Sequence, residues 1–194
     1  MNDQKITSIE TSNPAAIKMT ELTTPLGTMY AGATEEGVCL LEFTNRIRLE
    51  QEIKGLKDAL QGGIQNGRNV HLDQLEVELQ EYFEGKRKVF SVPLHTPGSE
   101  FEKSVWKKLQ EIPYGRTWSY KEQSLAMNNP KAIRAIATTN GRNRIAIVIP
   151  CHRVIGSDGS MTGYAAGVER KKWLLRFERS NSETPVGELP FVND

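Results

Sequence analysis

Polar and hydrophobic residues alternate along the first part of the chain. The alternation runs over residues 22–43 and is interrupted by a polar turn at residues 34–37. This pattern predicts a β-hairpin. Residues 45–60 are charged and carry apolar side chains at helical spacing, which predicts a surface helix. Residues 1–20 show neither pattern, and we expect them to form a flexible lead-in.

Helical spacing returns at residues 72–83, and Gly85 is a typical helix terminator after them. The glycines and asparagine of residues 62–67 predict a loop. The apolar segment at residues 89–94 predicts one more short strand. Together these elements predict a small N-terminal α/β domain over residues 21–96.

The second half of the chain opens with a strong helix signal. Ser99 and Glu102 have the spacing of a capping box, and apolar positions continue at helical spacing up to Ile112. We therefore place a second, mainly helical domain at residues 97–180, followed by a flexible tail at residues 181–194.

Two further helices are predicted inside this second domain. Ser119 or Thr117 is a suitable N-cap for a helix that runs to Met127. Pro130 fits the first turn of another helix, at residues 131–139. Two short helices joined by a tight turn are typical of a helix-turn-helix.

The second of these helices has one basic position among small ones. Ile133, Ile136 and Ala137 are predicted to form its buried face, and Lys131, Arg134 and Thr138 its exposed face. Small residues such as Ala135 and Thr138 suit a close approach of the helix to a nucleic-acid groove. The alternative is that they merely pack against a neighbouring helix.

The candidate chemistry follows directly after this helix. Residues 145–149 are apolar and mostly β-branched, which predicts a short buried strand that Pro150 terminates. Cys151 and His152 come next, and a thiol beside an imidazole is the pair that nucleophilic cysteine chemistry uses. We therefore predict a reactive sulfur held on a rigid support.

Charge is distributed unevenly between the two halves. Residues 99–180 contain 15 Lys and Arg against 7 Asp and Glu, although the whole chain has a net charge of only +1. A basic half beside an acidic half indicates contact with a polyanion. The alternative is that the charged faces only keep the protein soluble.

Composition excludes several other classes of protein. The two cysteines, Cys39 and Cys151, are too few for a secreted disulfide scaffold, so we expect reduced thiols. Cys39 lies within a predicted strand, where burial is the expected state. No Cys/His cluster has metal-ligand spacing, and no apolar segment approaches the ~18 residues of a membrane span. We expect a cytoplasmic protein with no metal and no membrane contact.

The segment Pro150-Cys151-His152-Arg153-Val154 resembles the acceptor motif of the O6-alkylguanine-DNA alkyltransferases. The similarity extends over roughly residues 20–180. In chain order it also includes Thr24-Pro25-Leu26-Gly27, Tyr82-Phe83-Glu84-Gly85, Ser119-Tyr120, Pro130-Lys131-Ala132-Ile133-Arg134-Ala135, Asn143, Gly163-Tyr164-Ala165-Ala166-Gly167, Trp173-Leu174-Leu175 and Glu178.

The resemblance implies an α+β fold. A small ribonuclease H-like α/β domain would be followed by a mainly helical, winged-helix-like domain that carries the helix-turn-helix. It also implies direct DNA repair, in which Cys151 takes the alkyl group from O6-alkylguanine in DNA, and O4-alkylthymine stays open as a second substrate. The transfer would be irreversible and would inactivate the protein. The implied partner is double-stranded DNA, gripped through its minor groove with the damaged base flipped out, and the protein would act as a monomer.

The resemblance also assigns roles to individual residues. His152 would act as the base, with contact to the thiol through a water, because consecutive side chains in extended backbone diverge. Glu178 would orient the imidazole. Asn143 would hold the turn before the cysteine, and Tyr120 would press on a phosphate and donate a proton to the departing guanine.

The remaining implied roles concern DNA and the flipped base. Arg134 would take the place of the flipped base, with Ala135 and Thr138 on the same helix near the groove. Tyr164, Ala165 and the backbone of Val154 would surround the base. No cofactor is implied, because attack on the alkyl carbon needs only a thiolate and a stabilised leaving group.

The chain departs from the usual pattern of the family at two places. Ala137-Thr138 and Ala166 stand where glycines are usual. The first change concerns packing of the helix on DNA, and the second concerns room for bulky alkyl groups.

Two other functions stay open at this point. One is a lesion-binding protein without transfer activity, although its relatives lack the cysteine. The other is a cysteine hydrolase using Cys151 and His152, for which no oxyanion site is evident.

Overall fold

The computed structural model describes residues 16–161 and 163–182. The predicted flexible lead-in and tail therefore lie mostly outside the described residues. The lead-in prediction is wrong for its last positions, because strand β1 already begins at Ile17. Apolar and polar side chains alternate only over residues 17–20 of this strand, and the alternation breaks at Glu21. This stretch is too short to predict a strand.

The N-terminal sheet has four strands. They are β1 (Ile17–Thr24), β2 (Gly27–Thr34), β3 (Gly37–Phe43) and β4 (Ile64–Asn66), in the spatial order β3-β2-β1-β4. The predicted hairpin is confirmed as the antiparallel pair β2–β3. The loop prediction at residues 62–67 is wrong for residues 64–66, because β4 forms there and pairs in parallel with β1.

The strand predicted at residues 89–94 does not form. Only Leu94 pairs with the sheet, through an isolated bridge to Val38. The carboxylate of Glu78 instead accepts hydrogen bonds from the backbone N–H groups of Ser91 and Val92, at 2.8 and 3.2 Å. These donors are therefore not available for a strand ladder.

Six α-helices complete the described part of the chain, and all predicted helices are present with shifted ends. They are α1 (Leu49–Leu60), α2 (Val70–Phe83), α3 (Glu100–Leu109), α4 (Tyr120–Ala126), α5 (Ile133–Gly141) and α6 (Val168–Ser180). A short parallel pair, β5 (Trp118–Ser119) with β6 (Val154–Ile155), and the 3-10 helices Pro130–Ala132 and Cys151–Arg153 lie between them.

Both predicted helix caps of the second domain are present. Ser99 and Glu102 form the reciprocal bonds of a capping box at the start of α3. Ser119 caps α4 in the same way, with Glu122 as its partner. Each box satisfies two backbone N–H groups that a helix start otherwise leaves open.

The buried face of α5 differs from the predicted one. Ile136 is fully buried, but Ile133 is 37% exposed. The helix starts two residues later than expected, because Pro130 first opens a 3-10 turn. This shift turns Ile133 outward, beside Arg134 and Ala135.

The strand predicted at residues 145–149 is also wrong. These residues are buried, but they form a compact turn in which Ile147 has φ 71°. No strand residue adopts this backbone conformation. Only Ile145 pairs with the sheet, as a parallel bridge to Leu41 at the edge of β3. We call residues 143–150 the acceptor turn.

One hydrophobic core joins the two halves of the molecule. Phe43 and Tyr82 from the N-terminal half belong to the same buried cluster as Ile145, Val154 and Leu174. The acceptor turn is therefore packed directly on the N-terminal sheet. Among residues 16–161 and 163–182, no helix is long and apolar enough to cross a membrane.

Candidate active site

Cys151 is the first residue of the 3-10 helix that follows the acceptor turn. Its side chain is partly exposed, whereas Cys39 is buried in β3 as predicted. Pro150 immediately before it ends the turn, and the N–H of Arg153 donates to the carbonyl of Pro150 at 2.9 Å. The sulfur is thus carried on a tightly bonded segment with access to solvent.

Asn143 holds both ends of the acceptor turn. Its side-chain oxygen accepts from the N–H of Ile145 at 3.0 Å, and its amide donates to the carbonyl of Ile149 at 2.8 Å. The same amide nitrogen lies 3.2 Å from Sγ of Cys151. One side chain therefore closes the turn and contacts the sulfur.

His152 points away from the sulfur toward α6. Its Nε2 lies 2.8 Å from Oε1 of Glu178, and both side chains are completely buried. Because a carboxylate only accepts, Nε2 carries the proton and Nδ1 keeps its lone pair. Nδ1 is buried and has no hydrogen-bond partner among the described residues.

Cys151 and His152 do not have the extended backbone from which an indirect contact between thiol and imidazole is predicted. The two residues belong to a 3-10 helix. Successive side chains diverge there as well, since this helix advances about a third of a turn per residue.

Glu178 also binds residues that the sequence did not single out. Arg153 donates to both of its oxygens, at 2.8 and 2.9 Å, and the hydroxyl of Tyr82 donates to Oε1 at 2.8 Å. The N–H of Gly115 donates to Oε2 at 3.1 Å. Arg153 is part of the quoted motif, but no local signal indicates the contact of Tyr82 from α2.

The surroundings determine the charge states of the site. Burial raises the pKa of the Cys151 thiol, although the hydrogen bond from Asn143 acts in the opposite direction. Burial also lowers the pKa of His152. Burial opposes ionisation of Glu178, but His152 and Arg153 together hold its pKa well below the ordinary range. At neutral pH the site therefore holds a thiol, a neutral imidazole and a carboxylate.

A buried lysine contacts the backbone at the end of the 3-10 helix that carries Cys151. Lys171 is fully buried, and its Nζ donates to the carbonyl of Val154 at 2.6 Å. Burial lowers its pKa to about 8. The N–H of Val154 donates to the carbonyl of Cys151. Both backbone groups of Val154, predicted to contact the base edge, thus already have partners within the protein.

Two other predicted site residues, Tyr120 and Tyr164, lie near the sulfur. Tyr120 is the first residue of α4, and burial followed by the nearby Cys151 raises its pKa. Tyr164 is 8% exposed, and its ring lies edge-on to that of His152, with 6.4 Å between the centroids. Ala165 is exposed, and the neighbouring Ala166 is buried.

Hydrogen bonds from α3 and α4 hold the inner side of α5, the predicted DNA-binding helix. Gln123 of α4 and Asn140 of α5 exchange two buried hydrogen bonds, at 3.1 and 2.7 Å. Nε1 of Trp106 in α3 donates to the carbonyl of Thr139 at 3.1 Å. These contacts fix α5 against α3 and α4, so the helix can present a rigid outer face.

The outer face of α5 carries the predicted residues Arg134, Ala135 and Thr138, all of them exposed. The hydroxyl of Thr138 donates to the carbonyl of Arg134 one turn earlier in the helix, at 3.0 Å. Arg134 has no hydrogen bond or ion pair with any residue in the ranges 16–161 and 163–182. Its charge is free to meet a ligand.

The described residues offer no grouping for a metal ion. No set of three or more His, Cys, Asp or Glu side chains comes together in the ranges 16–161 and 163–182.

Comparisons with known proteins identify the family of the chain. Residues 17–96 match a family model described as the ribonuclease-like domain of 6-O-methylguanine DNA methyltransferase, and residues 100–180 match the model of its DNA binding domain. The methylated-DNA–protein-cysteine methyltransferase of Methanosarcina acetivorans is 40% identical over 156 residues, which cover 80% of this chain and 94% of the relative. The protein of the same name from Methanosarcina barkeri is 53% identical over 104 residues, which cover 54% of this chain and 66% of that relative.

A solved structure shows the same fold. The Mycobacterium tuberculosis OGT protein in complex with DNA is 32% identical, with a TM-score of 0.71 over 86% of this chain and 94% of that one. It has the same arrangement of an N-terminal domain with a sheet and a C-terminal helical DNA-binding domain. The chain therefore belongs to the family of methylated-DNA–protein-cysteine methyltransferases, which repair DNA by moving an alkyl group from a base to a cysteine of the protein itself.

Proposed function

We propose that Cys151 accepts the alkyl group from O6-alkylguanine in DNA and keeps it as a thioether. The observation that carries this proposal is the contact of Asn143 with Sγ of Cys151, at 3.2 Å on a rigid and partly exposed segment. An amide donor at this distance stabilises negative charge as it develops on the sulfur. A sulfur that needed only to pack would not require such a donor.

The proton of the thiol leaves toward His152. The pKa of the thiol is raised, so the sulfur is protonated at neutral pH and needs a base. Nδ1 of His152 has the only lone pair of the imidazole, because Nε2–H is bonded to Glu178. A water between Sγ and Nδ1 would complete the relay. Glu178 stabilises the imidazolium that results.

The transfer itself is a displacement at the alkyl carbon. The new bond joins Sγ to that carbon while the bond from the carbon to O6 breaks, and its electron pair stays on the guanine. Tyr120 would supply the proton that the leaving guanine takes up. Its pKa is raised, so it is protonated at neutral pH. Tyr164 and Ala165 would lie beside the flipped base.

The thioether would remain in place after the transfer. Water does not readily cleave such a bond, and the second cysteine, Cys39, is only 1% exposed in β3. One molecule would therefore repair one lesion and stay inactive.

DNA would lie along the outer face of α5 with its minor groove. The small side chains of Ala135 and Thr138 allow close approach, and Arg134 would enter the stack in place of the flipped base. An alkyl group on a stacked guanine is out of reach for a sulfur on a rigid segment, so flipping is required. We take the helix-turn-helix with β5 and β6 as a winged-helix-like unit, and the N-terminal sheet domain as ribonuclease H-like.

All groups of this site come from one chain, which fits action as a monomer. We further propose that the protein acts on DNA in the cytoplasm. The domain limits that we propose are residues 21–96 and 97–180. Transfer assays with O6-alkylguanine, with O4-alkylthymine and with alkyl groups of different size determine which substrate is preferred.

Mass spectrometry tests the proposal directly. The protein is incubated with an oligonucleotide that contains O6-methylguanine, digested, and analysed for the peptide that contains Cys151. We expect a gain of one methylene on this residue, one methyl group per chain, and no transfer by the Cys151→Ala variant. Binding of the lesion without transfer would instead support a lesion-binding protein. Repeated turnover of an activated ester would support a hydrolase.

A further inference from the structure

Arg46 reaches from the N-terminal domain to the start of the acceptor turn. It lies in the loop between β3 and α1, and its side chain is only 2% exposed. Nη1 donates to the carbonyl of Asn143 and Nη2 to the carbonyl of Gly141, each at 2.9 Å. One guanidinium thus binds the last residue of α5 and the residue that contacts the sulfur.

Two carboxylates hold this guanidinium in place from the other side. Nη2 forms an ion pair with Glu52 at 2.6 Å, and Nη1 is in contact with Glu42 in β3. Glu42 is 2% exposed. The planar fork of an arginine suits such a site, because it bonds several oxygens in fixed directions.

The edge of β3 supports the other side of the same bend. The N–H of Leu41 donates to the carbonyl of Arg144, and the N–H of Ala146 donates to the carbonyl of Leu41, both at 2.8 Å. Asn143 therefore lies between a side-chain contact and a backbone contact that both come from the N-terminal domain.

We propose that Arg46 is a positioning residue for the transfer reaction, which fixes the Asn143 amide against the sulfur of Cys151. This inference rests on the proposed function of Cys151. It gives the N-terminal domain a part in the reaction, because the bend between α5 and the acceptor turn is fastened to that domain.

The physical argument concerns small displacements. The carbonyl of Gly141 lies at the end of α5, where the negative end of the helix dipole favours a cation. Without Arg46, this carbonyl and that of Asn143 lose their partners, and the bend can shift. A displacement of about 1 Å in a reacting group can cost about a hundredfold in rate. A displacement of this size would lengthen the 3.2 Å contact between the Asn143 amide and the sulfur beyond hydrogen-bond distance.

The test is the Arg46→Met variant, which keeps the length of the side chain and removes its donors. Single-turnover methyl transfer from an O6-methylguanine duplex is measured over a range of DNA concentrations. We expect the saturating rate constant to fall by about tenfold, below the hundredfold limit of a full 1 Å shift. The DNA concentration at half saturation should change by less than about twofold, since the outer face of α5 is untouched.

Folding of the variant is expected for a specific reason. Burial raises the pKa of Glu42 to about 8, against the effect of Arg46, so this carboxyl can take up a proton when the guanidinium is removed. Should Arg46→Met fail to fold, Arg46→Lys keeps a positive charge next to Glu42 but cannot bond both carbonyls with one fork. Its saturating rate should lie between those of the wild type and the expected Met variant.

Glu78→Ala is the matched control. Glu78 is similarly buried in the N-terminal half, but its partners are Gln74, Ser91, Val92 and, at 3.7 Å, Arg87, all of them in that half. This variant should lower the melting temperature and leave the saturating rate unchanged. Wild-type saturating rates in a folded Arg46 variant, or a defect in DNA affinity alone, would overturn the inference. Absence of transfer by the wild-type protein would instead refute the proposed function.

Discussion

His152 donates its Nε2–H to Glu178 across 2.8 Å inside a fully buried pair of side chains. This bond fixes which imidazole nitrogen carries the proton and leaves Nδ1 as the acceptor. Glu178 is itself held by Arg153, Tyr82 and the backbone of Gly115. The orientation of the base is therefore determined by three segments that are far apart in the chain.

Replacement of Glu178 should cost both stability and rate. Glu178→Gln leaves the buried guanidinium of Arg153 without its counter-charge, and loss of one partner of such a pair costs about 3 kcal/mol. We expect a lower free energy of unfolding in urea and slower methyl transfer. Glu169→Gln, on the exposed first turn of the same helix, should change neither, because Glu169 is paired only with Lys172 at the surface. Equal stability of the two variants would contradict the assigned role of the buried carboxylate.

The rate of transfer should depend on pH in a defined direction. Burial lowers the pKa of His152 below its ordinary value of 6.5, so the imidazole stays neutral, and able to accept a proton, down to that pH. The saturating rate constant should be constant from about pH 8 to pH 6.5 and fall only below it. Single-turnover assays in a series of buffers measure this, and DNA binding by Cys151→Ala at each pH separates affinity from chemistry. A rate that is already halved at pH 7 would be the opposite result.

Arg134→Ala should act on DNA and leave the thiol unchanged. Arg134 is exposed on α5 and has no partner within the described residues, so its removal should not affect folding. We expect transfer from duplex DNA to slow by about tenfold or more, since loss of the inserted side chain costs about 1–3 kcal/mol of flipping. Iodoacetamide should alkylate Cys151 at the wild-type rate. Lys57→Ala removes an equal charge from the exposed side of α1, and it should change neither rate.

The two cysteines should differ in accessibility. Cys39 is 1% exposed, and burial raises its pKa to about 12, whereas Cys151 is partly exposed. Iodoacetamide should therefore add one label to the folded protein, at Cys151, and a second one only after unfolding. Prior incubation with an O6-methylguanine oligonucleotide should block the first label. Labelling of Cys39 in the folded protein would show that β3 opens readily.

Local sequence signals were sufficient for helices α1 to α5 and for the β2–β3 hairpin. The hairpin β2–β3 and the capping boxes of Ser99 and Ser119 involve residues within a few positions of one another, so their patterns are visible in one stretch of chain. The same holds for the neighbouring Cys151 and His152. The resemblance to the alkyltransferase family added Glu178 and Asn143 to this set.

Only the tertiary structure decided how the acceptor is supported. The apolar residues 145–149 have strand-forming side chains, but the side chain of Asn143 bonds their backbone and closes them into a turn. Glu78 takes the backbone donors of a second expected strand in the same way. Arg46 and Asn143 are 97 positions apart, and Tyr82 and Glu178 are 96 apart. Hydrogen bonds over such separations leave no periodic pattern in the sequence, because each depends on a single side chain that the fold brings into reach.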